Sequence, residues 1–250
     1  MRTVTIYSRH PSHKPLRRVI PAPKGYAPVV RFGSLTESDK KIQINTVEAI
    51  KKSMNKRLMK EAFTNNNVIT PFWFNIPDYL KLEKQFFPCV VKNIWGSRGT
   101  GNFLIKNMDE FNRLLQNRNP ENYIVEKFVN YSREYRFHVS TEGVFLIWRK
   151  LRREDTPQQD RWFFNNQTCN WVNEEHPLFN LDTKTRENIS QEAVKALNSV
   201  GLDFGACDIK VSADGQRFTI IEINSAPSLG KIGVDAYISE INKLINKKLR

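Results

Sequence analysis

The chain has 250 residues, of which 40% are hydrophobic and 26% charged, and its formal net charge is +13. This length and composition allow one large or two small domains with a buried core and exclude a disordered chain. No apolar run approaches the roughly 18 residues that span a bilayer, and the N-terminal residues do not resemble a secretory signal. Three widely spaced cysteines fit neither a disulfide framework nor a zinc site. We therefore expect a cytoplasmic protein without a membrane partner.

The basic charge is concentrated near the N-terminus. Residues 1–60 hold 14 Lys and Arg against three acids, a net charge of +11, whereas residues 61–250 hold the other 25 basic and 23 acidic residues, a net charge of +2. Such a segment is attracted to nucleic acid, acidic peptides or anionic nucleotides, or it is a solvated arm that only aids solubility. The first of these readings leads us to expect that Arg17 and Arg18 help to hold an acceptor substrate.

Hydrophobic periodicity and turn residues predict the elements in chain order. Residues 1–31 are expected to form one or two strands with loops. Next come a helix from Asn45 to the asparagine run at 65–67, a strand at 68–74, a helix at 79–87, strands at 88–92 and 103–106, and a helix at 109–115. Later elements are a strand at 123–129, a hairpin at 135–150, an irregular segment at 151–180, a helix at 183–200, a hairpin at 206–223 and a helix at 237–249. The fold class is therefore α+β with mostly antiparallel sheets.

A glycine-rich sequence, GSRGTG, lies between two predicted strands. Its members are Gly96, Ser97, Arg98, Gly99, Thr100 and Gly101. Backbone N–H groups of such a loop can hold phosphates, but an apolar strand follows it, so it is not a Walker loop. It is either a flap over a nucleotide or an ordinary turn. Lys92 favours the flap, because a lysine in the apolar strand PCVVK needs a counter-charge that phosphate supplies.

An acidic cluster in the last hairpin gives a sharper signal. Alternation places Glu222 and Asn224 on one face of a strand whose other face is apolar. A three-residue turn at 214–216 then puts Asp208 opposite Glu222. Two carboxylates and an amide suit a hard divalent cation such as Mg²⁺, with Mn²⁺ as a substitute. The alternative is a solvent-facing polar strand, but a glutamate between two isoleucines is costly unless it has a partner.

Together these motifs resemble the ATP-grasp superfamily, in particular its carboxylate–amine ligases of the ribosomal-protein glutamate ligase type. The resemblance covers about residues 43–230 and rests on the order and spacing of INTVEAIKKSMNK, PCVVKNIWGSRGTG, IVEKFV, EYR, CDIKV and IIEINSAPSL. It implies a shortened N-terminal segment (1–42), an N-subdomain with the glycine flap (43–122) and a C-subdomain with the metal hairpin (123–250).

The resemblance also implies roles for individual residues. Those for ATP are Lys56, Lys92, Gly96, Ser97, Gly99, Gly101, Glu126, Lys127, Phe128, Val129, Glu134 and Asn165; the metal ligands are Asp208, Glu222 and Asn224; Arg136 meets the transferred phosphate. A further basic residue, Lys150 or Arg149, ends the first hairpin, and spacing favours Lys150. Three features depart from the family: few residues precede the grasp region, Asn55 replaces an aspartate, and the segment at 161–165 replaces an Arg-x-Asn sequence.

The implied reaction joins a carboxylate to an amine. ATP phosphorylates the carboxylate to give an acylphosphate and ADP, and the amine then displaces phosphate. Partners would be a small carboxylate and amine, or an acidic peptide or protein acceptor; the oligomeric state stays open. Three alternatives remain at this stage: an ATP-grasp kinase of a small molecule, a nucleic-acid-binding protein that uses the basic N-terminus and lacks catalysis, and a degenerate grasp domain that binds ATP and only signals.

Overall fold

The computed structural model describes residues 4–8, 10–18, 20–97, 99–165 and 167–250. Arg98, and the side chains of Arg17 and Arg18, to which predictions from the sequence refer, lie outside this description. In the part of the chain that is described, no helix is both long and apolar enough to cross a membrane.

Twelve strands and six α-helices form within the described residues. The strands are β1 (Thr5–Ser8), β2 (Val29–Phe32), β3 (Gln43–Ile44), β4 (Trp73–Asn75), β5 (Cys89–Asn93), β6 (Asn102–Ile105), β7 (Tyr123–Lys127), β8 (Arg133–Ser140), β9 (Gly143–Arg152), β10 (Cys169–Val172), β11 (Phe204–Val211) and β12 (Phe218–Asn224). The helices are α1 (Val47–Met54), α2 (Lys56–Asn65), α3 (Ile76–Leu80), α4 (Met108–Leu115), α5 (Thr183–Val200) and α6 (Lys231–Lys248). Short 3-10 helices occupy Pro11–Arg18, Pro120–Asn122 and Gln158–Asp160.

The strands form three sheets. A small parallel sheet has the order β1-β2-β3, a four-stranded antiparallel sheet the order β4-β7-β5-β6, and a five-stranded antiparallel sheet the order β10-β9-β8-β11-β12. This arrangement confirms the predicted α+β class with mostly antiparallel sheets.

The five-stranded sheet has one apolar and one charged face. Its apolar face packs against α5, α1 and α2, and examples of the side chains in this core are Ile50, Phe63, Phe137, Leu197 and Ile209. A second cluster joins α6 to the parallel sheet, and a third fills the four-stranded sheet. The charged face of the five-stranded sheet is therefore left for the site. The predicted division of the chain at residues 42 and 122 stays a prediction.

The long helix predicted from Asn45 is in fact two helices. Asn55 separates α1 from α2 with an extended backbone, and its side-chain oxygen accepts hydrogen bonds from the N–H groups of Arg57 and Leu58. Asparagine is a strong N-cap residue, which explains why the second helix begins here. The break places Lys56 in the first turn of α2, where its N–H donates to the carbonyl of Ile94 at 2.9 Å.

Four other predicted elements differ from the structure, and one of them is the helix predicted at 237–249, which begins at Lys231. The helix at 79–87 is wrong: α3 ends at Leu80, and the chain turns so that Phe86 packs its ring 5.1 Å from that of Tyr79. The strand at 68–74 forms only at Trp73–Asn75, since Pro71 has no N–H to donate to a sheet. The segment at 151–180 contains β10, which pairs with β9.

The last hairpin has the predicted register at its polar end but not at its turn. Asp208 lies opposite Glu222, as predicted. Nearer the turn, Ile209 pairs with Ile220, so the three-residue turn is wrong and the register shifts next to Asp208. This irregularity brings Ile220 into the core, while Ile221 stays half-buried. The bulge thus shifts the pairing of β11 with β12 by one residue between the acidic pair Asp208–Glu222 and the turn.

Asn45 ties the parallel sheet to β11. Its amide nitrogen donates to the carbonyls of Arg31 at 3.2 Å and Phe204 at 3.1 Å, and its oxygen accepts from the N–H groups of Asp203 at 2.8 Å and Phe204 at 3.1 Å. Its φ of 59° lies in the left-handed region, which asparagine tolerates better than most residues. The side chain is fully buried, so these bonds have no water to replace them.

We expect Asn45→Ala to lower the free energy of unfolding by roughly 2–4 kcal/mol, because a buried group left without its partner costs about 1–3 kcal/mol. Asn67→Ala is a matched control, since Asn67 is exposed and has a φ of 53°. Asn67 thus has a left-handed backbone conformation like that of Asn45, but not its buried side-chain hydrogen bonds. Denaturant unfolding of both variants measures the difference, and equal losses would contradict the bridging role of Asn45.

Candidate active site

The charged face of the five-stranded sheet collects polar side chains from four neighbouring strands. Because paired residues share a face, the observed register places these residues on one side of the sheet. They are Glu134 and Arg136 from β8, Lys150 from β9, Asp208 and Lys210 from β11, and Glu222 and Asn224 from β12.

Asp208 lies at the centre of this group. Arg136 donates from Nε to Oδ1 and from Nη2 to Oδ2, both at 2.8 Å, and Lys150 Nζ lies 3.7 Å from Oδ1. Burial alone would raise the pKa of Asp208, but Arg136 and Lys150 hold it well below its usual range. Asp208 is therefore an anion in the folded protein.

Lys150 and Arg149 lie on opposite faces of β9. Lys150 contacts Glu134 and lies 5.0 Å from the ring centroid of Trp171. Arg149 instead donates to the carbonyls of Leu178 and Phe179. The register thus brings Lys150 to the site and corrects the inclusion of Arg149 among the candidate catalytic residues.

The proposed metal ligands lie side by side. Asn224 Nδ2 is 3.1 Å from Glu222 Oε1 and 3.4 Å from Asp208 Oδ2, so the amide bridges two carboxylates. Within the described residues, no three His, Cys, Asp or Glu side chains form a ligand set, so the third ligand would be the Asn224 amide oxygen after rotation of the side chain. This all-oxygen donor set fits Mg²⁺.

A second charged group lies on the four-stranded sheet. Glu126 on β7 accepts a hydrogen bond from Lys92 on β5 at 2.7 Å, and Lys60 on α2 lies 3.4 Å away. Burial raises the pKa of Glu126, but the two lysines outweigh it and lower the pKa. The resemblance implies a role for Glu126 in ATP binding, which stays a prediction; the structure gives its carboxylate two lysine partners. Lys60 had no predicted role.

The glycine loop is the tip of the β5–β6 hairpin. Gly101 has a φ of +76°, and a Cβ on it would lie 2.8 Å from Cβ of Asn93. Gly99 has a φ of +81° and lies against the ring of Phe163. Lys56 Nζ donates to the carbonyl of Gly96, which brings this lysine to the loop. Ser97 is exposed in the same loop. Glycine is thus needed for both backbone conformation and close approach.

The segment after β7 contacts Lys210, which lies on the charged face of the five-stranded sheet. Lys210 Nζ donates to the carbonyl of Val129 at 3.1 Å and lies 5.4 Å from the ring centroid of Phe128. The N–H of Lys127 donates to the carbonyl of Phe72 at 2.8 Å. Sequence reasoning gave Lys210 no role, although a lysine in an apolar strand was the signal that identified Lys92.

Two predicted nucleotide-binding side chains have other partners. Glu134 pairs with Lys150, and burial raises the pKa of Glu134. Asn165 accepts hydrogen bonds within its own loop, from the N–H groups of Gln167 and Thr168 at 2.8 Å and from the Thr168 hydroxyl at 2.9 Å. These bonds engage the side-chain oxygen of Asn165 within the loop, and its role in nucleotide binding stays a prediction.

His138 is part of the packing. Its Nδ1 lies 2.9 Å from the hydroxyl of Tyr237, and burial lowers its pKa to about 3. The imidazole therefore stays neutral in the folded protein.

The charged groups of the two sheets influence each other. Burial lowers the pKa of Lys56, and Glu222 on the other sheet opposes that decrease. Burial lowers the pKa of Lys210 to about 8, and Lys92 adds to the decrease. Lys210 Nζ, on the five-stranded sheet, also donates to the carbonyl of Val129, which follows β7, so the two charged groups are neighbours.

The comparisons with known proteins identify the family. The model of the ATP-grasp domain matches residues 61–206, more than half of the chain. The chain belongs to the ATP-grasp family. No curated protein matches the sequence.

Several solved structures share this fold. The D-alanine–D-alanine ligase from Bacillus anthracis complexed with ATP has a TM-score of 0.63 and 16% identity, over 91% of this chain and 80% of the ligase. Carboxyaminoimidazole ribonucleotide synthase from Aspergillus clavatus has a TM-score of 0.60 and 15% identity, over 90% and 63%. L-amino acid ligase from Bacillus licheniformis has a TM-score of 0.52 and 20% identity, over 77% of this chain and 44% of the ligase. At these identities the likeness concerns the ATP-grasp fold.

We expect Lys210 to make stability depend on pH in the alkaline range. Its pKa is about 8 when folded, against 10.5 for an ordinary lysine. Between these values the unfolded chain binds more protons, so this residue makes the free energy of unfolding rise with pH. Lys210→Met should remove that part of the rise, whereas Lys184→Met, at an exposed position, should not. Denaturant unfolding across this pH range tests the difference; identical slopes in Lys210→Met and wild type would contradict it.

Proposed function

We propose that the protein is an ATP-dependent carboxylate–amine ligase that works through an acylphosphate and releases ADP and phosphate. The observation that carries the proposal is the pair of neighbouring charged groups on the two sheets. On one side Asp208, Glu222 and Asn224 offer oxygen ligands, and on the other Lys92 and Lys56 offer cations. A magnesium-bound polyphosphate has the charge pattern that both sides complement.

In this proposal the four-stranded sheet holds the nucleotide. Lys92, Lys56 and the N–H groups of the loop at 96–101 bind the phosphates, and the segment Lys127, Phe128, Val129 borders the base. The positions of Lys56 beside the Gly96 carbonyl and of Lys210 beside the Val129 carbonyl support a nucleotide that extends between these two places. Mg²⁺, held by Asp208, Glu222 and Asn224, would neutralise charge on the phosphates.

Arg136 and Lys150 are the proposed catalytic residues. A carboxylate oxygen of the acid attacks the γ-phosphorus, the bond to the β,γ-bridging oxygen breaks, and ADP leaves. Arg136 uses two of its five N–H groups on Asp208, so three remain for the transferred phosphoryl group. Lys150 adds a second cation beside it. The amine then attacks the acyl carbon, phosphate leaves, and the amine loses a proton to give the amide.

We further propose substrates of the ribosomal-protein glutamate ligase type, an amino acid and an acidic peptide or protein acceptor. The basic N-terminal segment supports this choice, because residues 1–42 hold nine Lys and Arg against two acids, and a net charge of +7 attracts acidic chains. A panel of amino acids and short acidic peptides, each with ATP and hydroxylamine, tests the reaction. A ligase forms a hydroxamate and ADP; a phosphoester that forms without an amine would identify a kinase instead.

We expect Mg–ATP to stabilise the wild type, by about 2.7 kcal/mol at a hundred times the dissociation constant. Glu222→Ala should lose most of this stabilisation and all turnover while it keeps the fold, since a proposed metal ligand is missing. Glu187→Ala, at an exposed position on α5, is the control. Thermal unfolding with and without Mg–ATP measures the effect, and retained turnover in Glu222→Ala would remove the metal assignment.

Neighbouring substitutions on β9 separate catalysis from packing. Lys150→Met should lower kcat by about a hundredfold or more, the usual loss when one group that stabilises transition-state charge is removed. Arg149→Met should retain kcat near that of the wild type, because its guanidinium contacts carbonyls on the other face. Steady-state rates of ADP release measure kcat for both variants. Similar losses of kcat in Lys150→Met and Arg149→Met would contradict the catalytic role proposed for Lys150.

A further inference from the structure

Glu126 is shared by two lysines from different elements. Its Oε2 accepts a hydrogen bond from Lys92 at 2.7 Å, and its Oε1 lies 3.4 Å from Lys60 Nζ. The side chains of Lys60 and Glu126 are almost fully buried, with 0% and 3% exposed. The group therefore holds two buried cations and one carboxylate, a net charge of +1, away from water.

Lys60 is held in one position by burial and by a hydrogen bond to Thr70. Its ammonium donates to the hydroxyl of Thr70 at 2.6 Å, and that hydroxyl donates to the carbonyl of Ile220 on β12 at 2.9 Å. Since the side chain has no exposed surface, Lys60 is not accessible to a ligand in this conformation. Glu222, two residues after Ile220 on the same strand, also favours the charged form of Lys60.

We propose that Lys60 is a positioning residue that frees Lys92 for phosphate. This inference rests on the proposed nucleotide-binding function. When Lys92 turns from Glu126 to a phosphate, Glu126 would become a buried carboxylate without a partner, which is strongly unfavourable. Lys60 stays beside Glu126 and keeps it compensated, so Lys92 can bind the phosphate at little cost.

The proposal makes the effect of Lys60 depend on Glu126. Without Lys60, Lys92 and Glu126 form a neutral buried pair, and Lys92 leaves it only at the cost of an unpaired carboxylate. Without both Lys60 and Glu126, Lys92 is again free to meet a phosphate. A double variant should therefore bind phosphate better than the single Lys60 variant, although it has lost more native contacts.

The experiment compares wild type, Lys60→Met, Glu126→Gln and the double variant by calorimetric titration. The probes are the Mg²⁺ complex of the non-hydrolysable ATP analogue AMP-PNP, and adenosine, which has no phosphate. Lys60→Met should bind AMP-PNP about tenfold to a hundredfold more weakly, the size expected when Lys92 no longer makes a charge-assisted hydrogen bond to a phosphate. Its affinity for adenosine should equal that of the wild type. The double variant should regain most of the AMP-PNP affinity.

Other outcomes overturn the proposal in distinguishable ways. Unchanged AMP-PNP affinity in Lys60→Met, an equal loss for adenosine, or no recovery in the double variant would each show that Lys60 does not act through Lys92. If the wild type bound neither probe, the nucleotide-binding function itself would fall. Should Lys60→Met not fold, Thr70→Val removes only the hydroxyl that holds Lys60 and should weaken AMP-PNP binding, but not adenosine binding, by a few-fold.

Discussion

The site depends on one buried carboxylate that is held by cations from neighbouring strands. Asp208 is almost inaccessible to water, and a charge in such a place is costly unless it is paired and hydrogen-bonded. Arg136 lies directly opposite it on β8 and makes two bonds of 2.8 Å. A slip of one residue between β8 and β11 would turn one of the two side chains into the apolar core. The ion pair between Arg136 and Asp208 and the burial of the apolar face therefore both stabilise the observed register of β8 and β11.

The two sheets repeat one arrangement, a carboxylate between two cations. Asp208 has Arg136 and Lys150, and Glu126 has Lys92 and Lys60. Lys56 and Lys210 add two positive charges, and Glu134 and Glu222 two negative charges, so the two charged groups together hold six cations against four carboxylates. Burial lowers the pKa of Lys60 and of Lys210 to about 8, and Lys92 contributes to both decreases. An excess of buried positive charge of this kind favours a polyanionic ligand.

Local sequence rules predicted those parts of the site that depend on alternation along a strand. They placed Asp208 opposite Glu222 and gave α5 its bounds, because a period of two or 3.6 residues and a C-terminal glycine are local signals. The bulge beside Asp208 escaped prediction because both isoleucines at 220 and 221 fit an apolar face. Lys60 escaped because a lysine on an amphipathic helix is normally solvated; only the approach of β7 to α2 shows that it is buried beside a carboxylate. Asn165, assigned through the family resemblance, hydrogen-bonds within its own loop.

The N-terminal segment and the proposed metal ligands form one structural unit. The chain that follows Asn224 is held by the 3-10 helix near the N-terminus: His13 Nε2 lies 2.9 Å from the carbonyl of Pro227, and the N–H of Leu229 donates to the hydroxyl of Ser12 at 3.2 Å. His13 also stacks on Phe32 at the end of β2, with 4.2 Å between ring centroids. The described residues of this basic segment therefore lie against the chain that follows β12. The segment that is proposed to attract an acidic acceptor is thus joined to the chain that follows the proposed metal ligands.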